Sequence, residues 1–185
     1  MRWAALLGVL LSHPALAASS VFPLDQTHGS IAFSVTNFGA FSTTGAFPRF
    51  AGRLVIDRDH PDAATIDVEA DATAVTVPWP DGTAMLRGPD FFDTARFPLI
   101  RFISGHVSVL DDAHFRIDGM LEIRGMAHPL ILDATLEHRE ANAADFRVTG
   151  TLSRGAYGMT TQQIMISDQV RISISARIEL PAQDP

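Results

Sequence analysis

Six histidines stand beyond residue 17 of this 185-residue chain: His28, His60, His106, His114, His128 and His138. None pairs at the i, i+4 spacing of H-E-x-x-H, and none forms H-x-H on a strand. A metal site would have to be assembled across strands, and solvated or hydrogen-bonded histidines are the simpler reading. Asp57, Asp59 and Asp62 resemble the start of a calcium loop but lack its central Gly and its terminal bidentate Glu, which leaves an acidic turn. There is no G-x-S-x-G, and Ser153-Arg154-Gly155 does not resemble a nucleophile elbow. The closest carboxylates, Asp111 and Asp112, fall at a hairpin tip, where water screens both. The absence of Cys removes thiol chemistry, C-x-x-C-H haem attachment and Cys-based zinc sites. All 14 basic residues are Arg, so Schiff-base and P-loop chemistry have no lysine to use. A net charge of −7 argues against nucleic acid and anionic headgroups as partners. No cofactor is implied. If an enzyme is hidden here, acting on a lipid or small apolar substrate, its polar cluster would be drawn from His28, His106 and Arg154.

What the chain has in place of reactive groups is phenylalanine: twelve Phe against one Tyr and two Trp. Phe adds apolar area without a polar tip that needs a partner. Ordinary core packing accounts for any single one of them. Spread over many segments, together they could line a space for a long apolar ligand.

The elements that must position these rings are strands. In Val170 to Leu180 every even residue is apolar, and Arg171, Ser173, Ser175, Arg177 and Glu179 alternate with them, so one face is dry and the other wet. The same period of two recurs at 31–35, 64–70, 115–123, 130–136 and 146–152, with two further strands at about 45–57 and 98–109. Short polar links join them, among them Asp57 to Pro61, Asp111-Asp112, Gly125-Met126 and Ala141-Asn142. Eight strands with short links predict an antiparallel all-β fold, and the pattern alone is compatible with a sandwich or a closed barrel. One connection breaks the rhythm. Pro78 and Pro80 cannot donate to a sheet ladder, so Val77 to Asp93 is expected to cover the fold as a lid with one or two short helices near residues 83–93.

The first 17 residues read as a secretory signal peptide. Arg2 supplies the positive start, Trp3 to Leu11 a short apolar run, and Ala15-Leu16-Ala17 the cleavage site. The run is shorter than the ~20 apolar residues a spanning helix needs. Residues 18–185 would then form one exported domain, held without disulfides. An outer-membrane barrel is disfavoured, because one Tyr and the single Trp left after cleavage, Trp79, cannot build aromatic girdles.

Several ordered motifs resemble the YceI-like family. Asp25-Gln-Thr-His28-Gly-Ser30-Ile-Ala-Phe33-Ser-Val35 is similar to its opening D-x-x-H-S-x-x-x-F-x-V strand, and Phe47-Pro-Arg-Phe50-Ala-Gly52 to its F-x-x-F-x-G. Asp90-Phe91-Phe92-Asp93, followed by Phe97-Pro98, Ile100 and Phe102, resembles its most specific motif, D-F-F-D-x-x-x-[YF]-P-x-I-x-F. Gly119, Leu121, Ile123, Gly125 and Pro129 fall on G-x-L-x-I-x-G-x-x-x-P, and Arg154, Tyr157, Gly158 and Met159 on R-x-x-[FY]-G-M. The family's usual R-D-x-H-L segment before D-F-F-D is replaced by Asp81 to Leu86, where only Leu86 fits.

The resemblance covers roughly Val21 to Leu180. It implies an eight-stranded lipocalin-like barrel, periplasmic, that binds a polyisoprenoid, an isoprenoid quinone or a related amphipathic lipid and has no catalytic residues to carry over. Expected in the cavity wall are Phe33, Val35 and Phe38 from the first strand and Phe47 from the second. Phe91 and Phe92 of the D-F-F-D segment, Phe102, Leu121, Ile123, Leu132 and Met159 complete the expected lining. Trp79, Met85 and Leu86 are expected in the lid. No integral insertion into the membrane is expected, and a homodimer is compatible with the chain.

Overall fold

In the computed structural model, residues 19–57, 60–162 and 164–179 are described. The proposed signal segment, Asp59 of the acidic turn and Leu180 lie outside them. The chain forms ten strands and one helix: β1 (Ser20–Asp25), β2 (Gly29–Asn37), β3 (Phe41–Phe47), β4 (Phe50–Ile56), β5 (Thr65–Asp71), α1 (Pro80–Arg87), β6 (Leu99–Val109), β7 (His114–Ile123), β8 (Met126–Arg139), β9 (Ala143–Ser153) and β10 (Ile166–Glu179). They make one antiparallel sheet in the order β1-β4-β5-β6-β7-β8-β9-β10-β2-β3.

Ten strands replace the eight expected because the strand expected at 45–57 is split in two around Pro48 and the segment 20–25 is itself a strand. Between β1 and β2 the Asp25 carboxylate accepts the Thr27 backbone N–H at 2.8 Å, turning the chain. Between β3 and β4 stands Pro48, which donates no ladder bond. Joined across these kinks, 20–37 and 41–56 form one long bent hairpin, β2 pairing with β3 and β1 with β4. Pro23 is tolerated in β1 because β1 is an edge strand.

The sheet curls on itself without becoming a continuous ring of hydrogen bonds. The Arg177 backbone N–H donates to the His28 carbonyl, and β1 lies against β10. On the other side, β3 is met by the connection after β5: Ala46 and Thr76 exchange backbone hydrogen bonds of 2.9 and 3.0 Å. The wall is thus completed partly by the Pro-rich connection.

Alternation holds in the middle of the sheet. Ile100 and Phe102 of β6, Leu121 and Ile123 of β7, and Leu130, Leu132 and Ala134 of β8 are buried, while Arg101, Glu122 and Asp133 between them face water. A bulge between Ser104 and His106 shifts the β6 register. It changes the phase so that Val107 is buried beyond it, while buried Ser104, still in phase with Ile100 and Phe102, accepts the Ile66 N–H at 2.8 Å. The β7–β8 hairpin turns through Arg124 (φ 54°) and Gly125 (φ 70°). Two successive positive φ values are what a two-residue type I′ turn requires.

Helix α1 begins earlier than expected and is the only α-helix among the described residues. Pro80 occupies its first turn, where a missing N–H costs nothing. Residues 89–92 form a turn, so of the one or two short helices expected, α1 is the one present among the described residues. No helix among the described residues is long and apolar enough to cross a membrane.

Candidate functional site: an apolar cavity inside the curled sheet

The inward faces of the strands do not fill the space they enclose. A cavity of about 420 Å3 remains, within the range of ligand sites. Its wall is almost wholly hydrocarbon. At its centre stand Phe33, Phe47 and Phe92, with ring centroids 5.4 Å apart for Phe33–Phe47 and Phe47–Phe92 and 6.2 Å for Phe33–Phe92. A second aromatic pair, Phe115 and Phe146 at 6.0 Å, stands between β7 and β9. Phe91 and Phe92 reach the interior from the turns after α1: the Phe92 N–H donates to the Leu86 carbonyl, and the Asp93 N–H to that of Gly88.

Of the expected wall residues, Phe33, Val35, Phe47, Phe91, Phe92, Phe102, Leu121, Ile123, Leu132 and Met159 line the cavity. Phe38 does not. Strand β2 ends at Asn37, the chain turns with Phe38 at φ 48°, and its ring points into solvent. Parity explains the difference. Ile31, Phe33 and Val35 face inward, so the next inward position is Asn37, which does line the cavity. Sequence reasoning left unnamed the cavity-facing Val170, Ile172 and Ile174 of β10, although the same alternation marks them, and Leu24, whose short Pro-containing strand carries a weak signal.

Trp79, Met85 and Leu86, expected in the lid, all border the cavity. The Trp79 indole lies over Gly82, where a Cβ would stand 2.2 Å from its Nε1; glycine is what lets the ring close onto α1. The Thr83 hydroxyl accepts the Val77 N–H at 3.1 Å, tying α1 to the segment before it.

Polar groups reach the wall at two places. His28 Nδ1 lies 2.8 Å from Asp25 Oδ1, and the Thr27 hydroxyl donates to the same oxygen at 2.6 Å. The Thr27 hydroxyl, the His28 ring and the Thr27 N–H together pull the Asp25 pKa down to about 2. The other place is Arg154, which is 3% exposed. Its guanidinium donates to three backbone carbonyls: Ser167 at 3.1 Å, Met159 at 2.6 Å and Ile166 at 3.0 Å. Burial draws its pKa down, and the nearby Asp168 carboxylate draws it back up. His106 is exposed on the outer face of β6, so the three candidates for an internal polar cluster are not brought together. His128 stacks edge-on against Tyr157 at 5.0 Å, and His60 and His114 pair with Asp57 and Asp111. No cluster of three metal-ligating side chains occurs among the described residues.

Comparison with known proteins places this geometry. The family model for the YceI-like domain matches residues 22–178. A UPF0312 protein of Shewanella putrefaciens is 30% identical over 132 residues, spanning 70% of this chain and 69% of the relative. Another from Shewanella sp. strain MR-7 is 29% identical over 133 residues, 71% of this chain and 70% of the relative. Among solved structures, Burkholderia cenocepacia BcnA superposes with a TM-score of 0.77 at 18% identity, covering 83% of this chain and 98% of that one. A polyisoprenoid binding domain from Saccharophagus degradans gives 0.68 at 13% identity, covering 87% and 98%.

Proposed function

This chain belongs to the YceI-like family, and on that premise we propose that it is an exported protein that carries or sequesters a long-chain apolar lipid, such as a polyisoprenoid or an isoprenoid quinone. The observation that carries this reading is the cavity of about 420 Å3 with its aromatic and aliphatic wall. Such a wall has little to offer a polar substrate. For an isoprenoid tail, each buried CH2 contributes about 0.8 kcal/mol. The likeness to a polyisoprenoid binding domain supports the same class of ligand. The protein holds this lipid rather than transforming it. The periplasm is its compartment, with residues 1–17 removed on export, so periplasmic material should have an intact mass beginning at Ala18.

The direct test is mass spectrometry of an organic extract from purified protein. An isoprenoid or related long-chain lipid at near-stoichiometric amount is expected. An empty extract, together with no uptake of long-chain quinones by the delipidated protein, would overturn the reading. Trp79, Met85 and Leu86 act as the lid. With the signal removed, Trp79 is the sole tryptophan, so a long-chain quinone should quench its emission saturably and a short-chain one much less. Lipid uptake with unchanged Trp79 emission would remove this segment from the mouth.

A further inference from the structure

Three segments that meet at one end of the curled sheet carry no charge, although Asp81, Arg87, Asp90 and Arg124 lie beside them at that end. Residues 29–48, 72–80 and 155–167 contain no Asp, Glu, Arg, Lys or His, in a chain that is 19% charged. The fold brings their loops together. The Phe38 N–H at the β2–β3 tip donates to the Met165 carbonyl at 2.7 Å. Gln162 reaches Met85 Sδ of α1 at 3.8 Å, and the Thr161 hydroxyl donates to the Asp90 carbonyl at 3.3 Å. The large apolar side chains on these loops point outward: Phe38 is 67% exposed, Phe41 70% and Ile164 98%. Trp79, Met85 and Met165 are exposed beside them.

Monomeric proteins rarely leave such a cluster to water. Here it borders the cavity. Asn37 and Thr43 at the hairpin tip, Trp79 and Met85 on α1, and Ile166 at the start of β10 all line the cavity. The opposite end is charged, with Asp57, Asp111, Asp112, Arg139 and Glu140 in its turns.

We propose that the end where the three uncharged segments meet docks on the surface of a lipid bilayer, with Phe38, Phe41 and Ile164 entering the boundary between headgroups and acyl chains. The cavity mouth then opens against the membrane, and a lipid tail passes between bilayer and barrel without crossing water. The occupant follows from the chemistry of the rim. Exposed Phe and Ile with one Trp at their margin form the apolar face of interfacial binders. No basic residue lies in these three segments, the neighbouring Arg87 and Arg124 are matched in number by Asp81 and Asp90, and the whole chain is acidic at −7. The surface therefore fits neutral or zwitterionic headgroups, and attachment comes from apolar insertion. The purpose of docking rests on the lipid-binding reading, but its measurement does not.

The test is flotation of the signal-free protein with phosphatidylcholine vesicles, comparing wild type with the double variant Phe38→Asn, Phe41→Ser. Asn is chosen at 38 because it tolerates positive φ, and both sites are solvent-exposed tips, so the fold should persist. Leu110→Ser, at the charged end, is the control. Wild type and control should float. The double variant should lose partitioning by at least about tenfold, since two large apolar side chains no longer leave water. Raising the salt should leave wild-type flotation unchanged, and adding anionic phosphatidylglycerol should weaken it. Wild type that stays with the soluble fraction, or a double variant that floats as well as wild type, would overturn the proposal. So would sedimentation showing a wild-type dimer that the double variant converts to monomer without any vesicle binding, because a second copy would then cover this face. Quinone uptake from ethanol solution, measured on the same variants, separates the two readings. If neither protein takes up quinone while wild type floats, the lipid-carrier reading fails and docking stands. If both take up quinone and neither floats, the reverse holds.

Discussion

Arg154 and Arg177 stand at opposite ends of β10 and hold the two ends of the molecule in different ways. Arg154 is buried, and its guanidinium is spent on the carbonyls of Met159, Ile166 and Ser167. Arg177 is half-exposed, and it joins Asp145 at 3.0 Å and Glu140 at 3.1 Å. At the first end the loop from Gly155 to Ser167 has no charge of its own, and its backbone is held chiefly by buried Arg154, with Asp168 accepting the Gly155 N–H and Arg124 donating to the Gly158 carbonyl. At the second end the charges lie on the surface and the turns are tied by ion pairs, His114 with Asp111 at 2.8 Å among them. A loop held from inside can leave its outer surface without charge. A loop held by surface ion pairs cannot. The comparison therefore ties the uncharged loop at the rim to a specific buried residue.

The strongest way to break this comparison is Arg154→Met. The change keeps much of the side chain's length and removes its donors, leaving three carbonyls to find other partners. At roughly 1–3 kcal/mol for each buried acceptor left unsatisfied, and with partial relaxation of the loop, the loss should be about 3–5 kcal/mol. Chemical denaturation should show it as a lowered midpoint, and hydrogen exchange should show residues 159–167 opening first. A loss no larger than that of an exposed arginine would mean that the loop is held by other contacts.

Between the two ends, Ile123→Phe sharpens the distinction between a ligand cavity and a filled core. Ile123 is buried and borders the cavity. In a filled core the extra ring would cost about 1–3 kcal/mol. Beside a cavity of about 420 Å3 it has room, so the melting temperature should change little while uptake of a long-chain quinone falls several-fold. A large drop in melting temperature with unaltered uptake would mean that the space at this position is not used by ligand.

The charged end offers the counterpart to Arg154. Arg177→Met removes two ion pairs, but the side chains are half-exposed and such pairs add little to stability. The melting temperature should fall far less than for Arg154→Met, and the difference from wild type should shrink as salt is raised. A loss as large as that of Arg154→Met would erase the distinction between the two ends.

Much of this arrangement was legible in the sequence because period-two alternation is a local property. Leu121, Ile123 and Leu132 face inward because their neighbours Glu122 and Asp133 must face water. The same rule, carried through to Asn37, would have excluded Phe38 from the cavity wall. The aromatic character of Phe38 does not report its direction; its position past the strand end does. Ten strands in place of eight arose from local causes too: Pro48 interrupts what hydrophobicity alone reads as one strand at 45–57, and the Asp25 turn sets off 20–25, a short Pro-containing strand with a weak signal, from β2. Arg154 was visible as a residue of interest but not as a loop clamp, since its three acceptors are backbone carbonyls that no side-chain pattern announces. The uncharged segments were equally visible in the sequence, but only the fold shows that their loops meet at one rim.

The smallest effect expected lies at Asp25, where the comparison can be sharpened by pH. Its carboxylate accepts hydrogen bonds from the Thr27 hydroxyl, the His28 ring and the Thr27 N–H, and its pKa falls from an ordinary 3.8 to about 2. A carboxyl depressed on folding adds stability wherever it is ionised in both states, that is, above the unfolded value near 3.8, and that contribution is lost as pH falls toward about 2. Asp25→Asn keeps the shape and removes the charge. The melting temperature of wild type should exceed that of the variant by a constant margin at neutral pH. The margin should then narrow steadily from about pH 4 to pH 2 and vanish at the lower limit. Because Asp25 and His28 both border the cavity, the same titration can be run with and without bound quinone. A margin that persists unchanged to pH 2 would show that the turn is held by the geometry of the side chain at 25 and not by its charge.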